Sequence, residues 1–239
     1  MNNILLNYGC SFSSPTRFNL RGADHVSYCE YIPGEIYNIA VPGNGIWLKH
    51  IQKFLEDHWW TLHPTKKPIT HFLYQVPSPS RQLLHSEIVD EEQFLKLPIM
   101  ISLKNKPDDY SNNRYKYKLK SLLEIKQDAS ILKHKQKFYK KALLEVDRIV
   151  NLVRSYYPNI KITFLKYEES GRKLVYEFSK DWFKTDLTNY CKNNNITYIN
   201  KDNFHTRWFR ENNYTADKNH PNKDGAKYIA DKILKIIDF

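Results

Sequence analysis

Three short stretches of this sequence carry side chains in arrangements that could do chemistry. The first, Gly9-Cys10-Ser11-Phe12-Ser13, follows an apolar run near the N-terminus. A serine in a tight turn off a strand exposes its hydroxyl. A helix starting behind it would add free amide N–H groups and a positive dipole end. With a base nearby, these make a nucleophile. Taken alone, such a serine is more often a turn former or an N-cap. The second stretch, Ala216-Asp217-Lys218-Asn219-His220-Pro221-Asn222, precedes the last apolar-periodic segment. An Asp and a His three residues apart in one loop can face the same way. The carboxylate then orients the imidazole, and the free ring nitrogen takes a proton. Without a nucleophile, the same residues read as a loop leading into a helix, with Asp217 and Asn222 as turn and capping residues. The third stretch is Asn38-Ile39-Ala40-Val41-Pro42-Gly43-Asn44-Gly45. A glycine there lets backbone approach a ligand and offers its N–H to a developing oxyanion. By itself it is also an ordinary Gly-rich turn.

The elements that would hold these stretches are readable from hydrophobic spacing. Residues 3–8, 35–41, 70–76, 160–167 and 196–199 are short apolar runs bounded by turn residues, as buried strands are. Helical spacing marks 46–60, 130–157, 180–193 and 223–237, and a short helix is expected within 24–32. The last helix should bury Ala226, Ile229, Ala230, Ile233, Leu234 and Ile237. His50 and His58 read as surface or boundary residues of their helix. Strands alternating with helices, each strand nearly continuous in apolar residues, imply a parallel sheet covered on both faces. The expected architecture is α/β: a flavodoxin-like three-layer sandwich on a five-stranded parallel sheet, in one domain over 1–239. Ligands of such sheets bind at the carboxyl ends of the strands, where all three stretches fall.

The order and strand context of these motifs matter more than any one of them. Gly-x-Ser after the first strand, Asn-x-Ala-x-x-Gly after the second, and Asp-x-x-His-Pro before the last helix resemble the SGNH, or GDSL-like, hydrolase superfamily. The resemblance runs from residue 9 to residue 221. It implies the flavodoxin-like sandwich reached above, and an activity on esters as in esterases, lipases and carbohydrate O-deacetylases, with some acyltransferases. It implies Ser11 as nucleophile, His220 as base and Asp217 as its acid partner. The N–H groups of Gly43 and Ser11 would serve the oxyanion.

The sequence departs from the family pattern twice. Gly-Asp-Ser is here Gly9-Cys10-Ser11. The missing Asp is not the triad acid, and the Cys10 side chain should alternate to the other side of the turn. The family's Gly-x-Asn-Asp at the third strand end is replaced by Tyr74-Gln75-Val76-Pro77-Ser78-Pro79-Ser80-Arg81. The oxyanion-binding Asn then has no direct match, and Gln75, Ser78 or Asn44 could take its place. One lost donor costs about 3 kcal/mol of transition-state stabilisation. Arg81 could pair with an anionic substrate group or be an ordinary surface arginine. Phe12, Trp47 and Trp208 could stack on a sugar ring or simply pack.

Composition sets the remaining bounds. The chain has 239 residues, 41% of them hydrophobic and 14% aromatic, enough to build a core. Mean hydropathy is -0.65. No stretch approaches the ~18 apolar residues of a membrane span. Ile4-Leu5-Leu6 is far shorter than a signal-peptide core, so a cytoplasmic protein is expected. Cys10, Cys29 and Cys191 are too few for a disulfide framework and suit a reducing compartment. No Cys/His cluster has zinc-ligand spacing, and no metal or cofactor is expected. The composition, heavy in Lys, Asn, Tyr and Ile, hints at an AT-rich genome such as that of a virus or phage.

The net charge is +11. Residues 101–141 hold 12 Lys/Arg against 4 Asp/Glu, so most of the excess lies in one segment. That segment overlaps a polar, partly helical insertion at 80–129. It reads as a solvated surface, or as a site for an anionic polymer such as nucleic acid or an acidic glycan. The expected function is therefore a serine esterase cleaving an acyl, preferably acetyl, ester of a small molecule or glycan. The alternatives are a weak or inactive relative that binds a polyanion, and an O-acyltransferase using the same triad.

Overall fold

The computed structural model describes residues 3–9, 13, 25–40, 48–62, 68–76, 130–166, 180–199, 206–216 and 220–237. Along the chain these form β1 (Ile4–Tyr8), a 3-10 turn (Tyr28–Tyr31), β2 (Glu35–Asn38), α1 (Leu48–Leu62) and β3 (His71–Gln75). Then come α2 (Ser130–Tyr156), β4 (Lys161–Leu165), α3 (Lys180–Asn193), β5 (Thr197–Ile199), α4 (Thr206–Glu211) and α5 (Lys223–Leu234). The strands make one parallel sheet in the order β2-β1-β3-β4-β5. This is the flavodoxin-like order, which reverses direction between β1 and β3.

The sheet is apolar on both faces because both are covered. Ile4, Leu6, Tyr8, Phe72, Tyr74, Ile162 and Phe164 point to the face packed by α1, α2 and α3. Leu5, Leu73, Leu165 and Ile199 point to the other, which is covered by the 3-10 turn, α4 and α5. Alternation along each strand then fixes where its polar residues go. Asn7 follows Leu5, and Gln75 follows Leu73, onto the face of the 3-10 turn. Both are fully buried, at 0% and 1% exposure.

Several expected boundaries shift. β2 stops at Asn38 rather than 41, where the Asn38 side chain accepts the Ala40 N–H at 3.2 Å. The helix expected within 24–32 is only the 3-10 turn, ended by an extended Ile32. α5 ends at Leu234, although Ile237 is still buried. Of its expected stripe, Leu234 is only half-buried. α4 appears where no helix was expected. The insertion at 80–129 lies outside the described residues. No described helix is long and apolar enough to cross a membrane.

Candidate active site

At the point where the sheet order reverses, the ends of β1 and β3 are joined by a buried polar network. The register pairs Tyr8 with Tyr74, which sets Gly9 beside Gln75. The approach is so close that a Cβ on Gly9 would lie 2.8 Å from Gln75 Cβ and 3.0 Å from Ser13 Oγ. Glycine is required there by space. Ser13 Oγ donates to Gln75 Oε1 at 2.6 Å. Tyr28 Oη lies 2.8 Å from Ser13 Oγ and 2.9 Å from Asn7 Oδ1.

The Ser13 carbonyl is held as firmly as its hydroxyl. It accepts from Asn38 Nδ2 at 2.8 Å, Ser27 Oγ at 3.1 Å and Asn7 Nδ2 at 3.4 Å. Asn7 Nδ2 also donates to Asn38 Oδ1, its ladder neighbour on β2, at 2.9 Å. Asn38 donates further to Ser27 Oγ at 3.2 Å. Six side chains, Asn7, Ser13, Ser27, Tyr28, Asn38 and Gln75, from four parts of the chain thus bond one another, all but half-buried Asn38 away from water, where an unmet polar group is costly. Gly9 and Ser13, the described residues that flank Ser11 in sequence, are both anchored at Gln75.

The second part of the site is the stretch before α5. Thr215 and Pro221 pair as an antiparallel bridge, and the Ala216 N–H donates to the His220 carbonyl at 2.9 Å. Residues 216 and 220 are thereby pinned together. Asn222 caps α5 by accepting the Gly225 N–H at 2.9 Å and donates to the Asn213 carbonyl at 2.8 Å. His220 is half-buried. Its ring meets the ring of buried His25 edge-on, with centroids 5.3 Å apart and planes at 66°. The Val26 N–H donates to the Pro221 carbonyl at 3.3 Å.

The stretch 25–28 consequently touches both parts. Tyr28 and Ser27 reach Ser13, while His25 and Val26 reach His220 and Pro221. Of the expected site residues, the structure describes Gln75 and His220 and brings both to this end of the sheet. Ser11, Asp217, Gly43, Asn44, Ser78 and Arg81 lie outside the described residues, as do Cys10, Phe12 and Trp47. Trp208 is half-buried within an aromatic cluster with Phe209, Tyr214 and Tyr228. Asn7, Ser13, His25, Ser27 and Tyr28 were not anticipated. The usable signals were Asn7 and Gln75, polar residues ending otherwise apolar strands.

Cys29 packs beneath this region and burial pushes its thiol up to about 12, so at neutral pH it is no nucleophile. Among the described residues, no group of three or more His, Cys, Asp or Glu could hold a metal ion.

Known structures share this architecture. A lipolytic protein of the G-D-S-L family from Veillonella parvula aligns over 98% of this chain and 97% of its own, with TM-score 0.52 and 14% identity. A putative lipolytic protein of that family from Desulfitobacterium hafniense aligns over 99% and 100%, with TM-score 0.50 and 11% identity. The chain has the SGNH hydrolase fold. In a longer Bacillus subtilis protein it spans only 56% of the length, with TM-score 0.49 and 11% identity. No protein-family model matches the sequence, and no curated protein does. Within this fold, Gly9 follows β1 and His220 precedes α5, both at the carboxyl end of the sheet.

Proposed function

We propose that the protein is a serine hydrolase of acyl esters. The observation that carries this reading is the meeting of the two motif-bearing ends of the chain. Ser13, two residues past Ser11, and His220 are both contacted from the four residues 25–28. Ser11 Oγ attacks the ester carbonyl while His220 takes its proton. Asp217 orients the imidazole and stabilises the imidazolium. The N–H groups of Ser11 and Gly43 receive the oxyanion, with Gln75, Ser78 or Asn44 as the side-chain donor. His220 returns the proton to the leaving alcohol. Water then attacks the acyl-enzyme and releases the acid. The substrate class is an O-acetylated carbohydrate, by analogy with the motifs. Arg81 and the basic stretch 101–141 would draw in an anionic glycan, in which case turnover on a charged polymer falls steeply with salt.

The test is hydrolysis of a short-chain aryl ester together with fluorophosphonate labelling. Ser11→Ala should lower kcat by at least about 10³-fold and abolish labelling. Equal rates from the two proteins would remove the reading. Acyl transfer through the same residues would appear as an ester product when an alcohol acceptor is added.

A further inference from the structure

We propose that residues 25–28 are a spacer that sets the distance between the nucleophile turn and the base loop, with Tyr28 and His25 as its two positioning residues. This rests on the ester-hydrolase reading above and adds residues that none of its motifs contains. The spacer is short and buried: His25, Ser27 and Tyr28 are 6%, 1% and 1% exposed. It is stiffened by Ser27, which caps the 3-10 turn by accepting the Cys29 N–H at 3.3 Å. It is also packed against α5, the helix that the base loop leads into.

Each end grips a different part of the site. At one end, the Tyr28 hydroxyl has a single proton and two acceptors within reach, Ser13 Oγ at 2.8 Å and Asn7 Oδ1 at 2.9 Å. Ser13 has committed its own proton to Gln75. Tyr28 therefore ties the far end of the nucleophile turn to the sheet itself. At the other end, the His25 ring is the wall against which the His220 ring rests. The Val26–Pro221 backbone bond keeps that wall in register. A catalytic hydroxyl and imidazole must meet within about 3 Å. They come from opposite ends of the chain, and among the described residues no strand pairing joins the two. α5 packs on β1 through Leu5, and residues 25–28 add direct contacts to Ser13 on one side and to His220 and Pro221 on the other.

The experiment compares Tyr28→Phe, His25→Leu and the double variant with wild type, with Tyr190→Phe as control. Tyr190 bonds Asp147 at 2.9 Å between α2 and α3 on the opposite face, so its loss tests stability alone. Per folded molecule, each single variant should lose at least tenfold in kcat on the aryl ester, with KM within twofold. The double variant should lose less than the product of the two, because both act through one spacing. Tyr190→Phe should keep wild-type kcat. Amide exchange over residues 10–13 and 216–220 should quicken at least tenfold in both site variants and not in the control. Site variants that keep kcat within twofold, or unchanged exchange in these two stretches, overturn the proposal. If wild type neither turns over ester nor labels at Ser11, the hydrolase reading fails. The exchange measurement then still decides whether the spacer holds the two stretches.

Discussion

At Gly9 the room for a side chain is already taken. Its missing Cβ is replaced by Gln75, whose own Cβ and Oε1 fill that space. Gly9→Ala must therefore push β3 away from the turn or break the Ser13–Gln75 bond. Overpacking of this kind costs about 1–3 kcal/mol. The displacement falls two residues from Ser11, so ester turnover should drop by more than the stability loss explains. Thermal unfolding and kcat measured on the same sample check this; a variant with wild-type kcat would show that the turn is not held by Gln75. The residue scale was legible where chemistry and spacing coincide. Asp217 and His220 stand three apart before an apolar helix, and Ser11 follows an apolar strand; it was their order and strand context together that suggested a site, and His220, the one of the three that the structure describes, lies at that end of the sheet. Asn7 and Tyr28 were not legible. A polar side chain in a buried strand announces that it has a partner, but not that the partner is a tyrosine 21 residues away.

At the scale of elements, apolar periodicity located the helices and strands, while local hydrogen bonds fixed their ends. α5 shows the division. Its buried stripe of Ala226, Ile229, Ala230 and Ile233 is plain in the sequence. Its start depends on Asn222, which caps the helix and also holds the Asn213 carbonyl, where the backbone turns through a left-handed φ of 58°. Gly225 completes the joint, because a Cβ there would overlap the Tyr214 carbonyl oxygen. Asn222→Ala should cost about 1–2 kcal/mol through the lost cap. For a chain of this size that lowers Tm by roughly 2–8 °C. It should also loosen the His220 loop, seen as faster exchange of the Ala216 amide; a Tm within 1 °C of wild type, on the order of measurement error, would contradict it. Sequence spacing was weakest for the short elements. α4, with six residues and fewer than two turns, was missed, and the helix expected within 24–32 is only a 3-10 turn of four. Neither is long enough to display a period.

For the molecule as a whole, the sheet divides the interior into two cores, and each contains a buried thiol. Cys29 lies in the core with α4 and α5, Cys191 in the core with α1 and α2. This two-sided burial was foreseeable from the continuous apolar strands, and with it the parallel sheet in flavodoxin-like order. What was not foreseeable is how burial acts on these thiols. Both are pushed up from an ordinary value of 9.0 to about 12, chiefly by desolvation of the charged form. The folded state therefore keeps these two thiols protonated where the unfolded chain gives them up. The stability this represents is whole below pH 9. It is lost as pH rises from about 9 towards 12, because ionisation then favours the unfolded state at about 1.4 kcal/mol per pH unit for each such group. Cys29→Ala removes one of the two and leaves a small, pH-independent packing loss. Urea unfolding at pH 7, 9 and 10.5 should show wild type losing stability more steeply than Cys29→Ala above pH 9, with parallel behaviour below it. Tyr37, raised to about 12 by burial and by its bond to Glu35, titrates in the same range in both proteins and so cancels in the difference. Identical alkaline slopes would mean that the Cys29 thiolate is reached without opening the core, and that the face carrying residues 25–28 is looser than its hydrogen bonds imply.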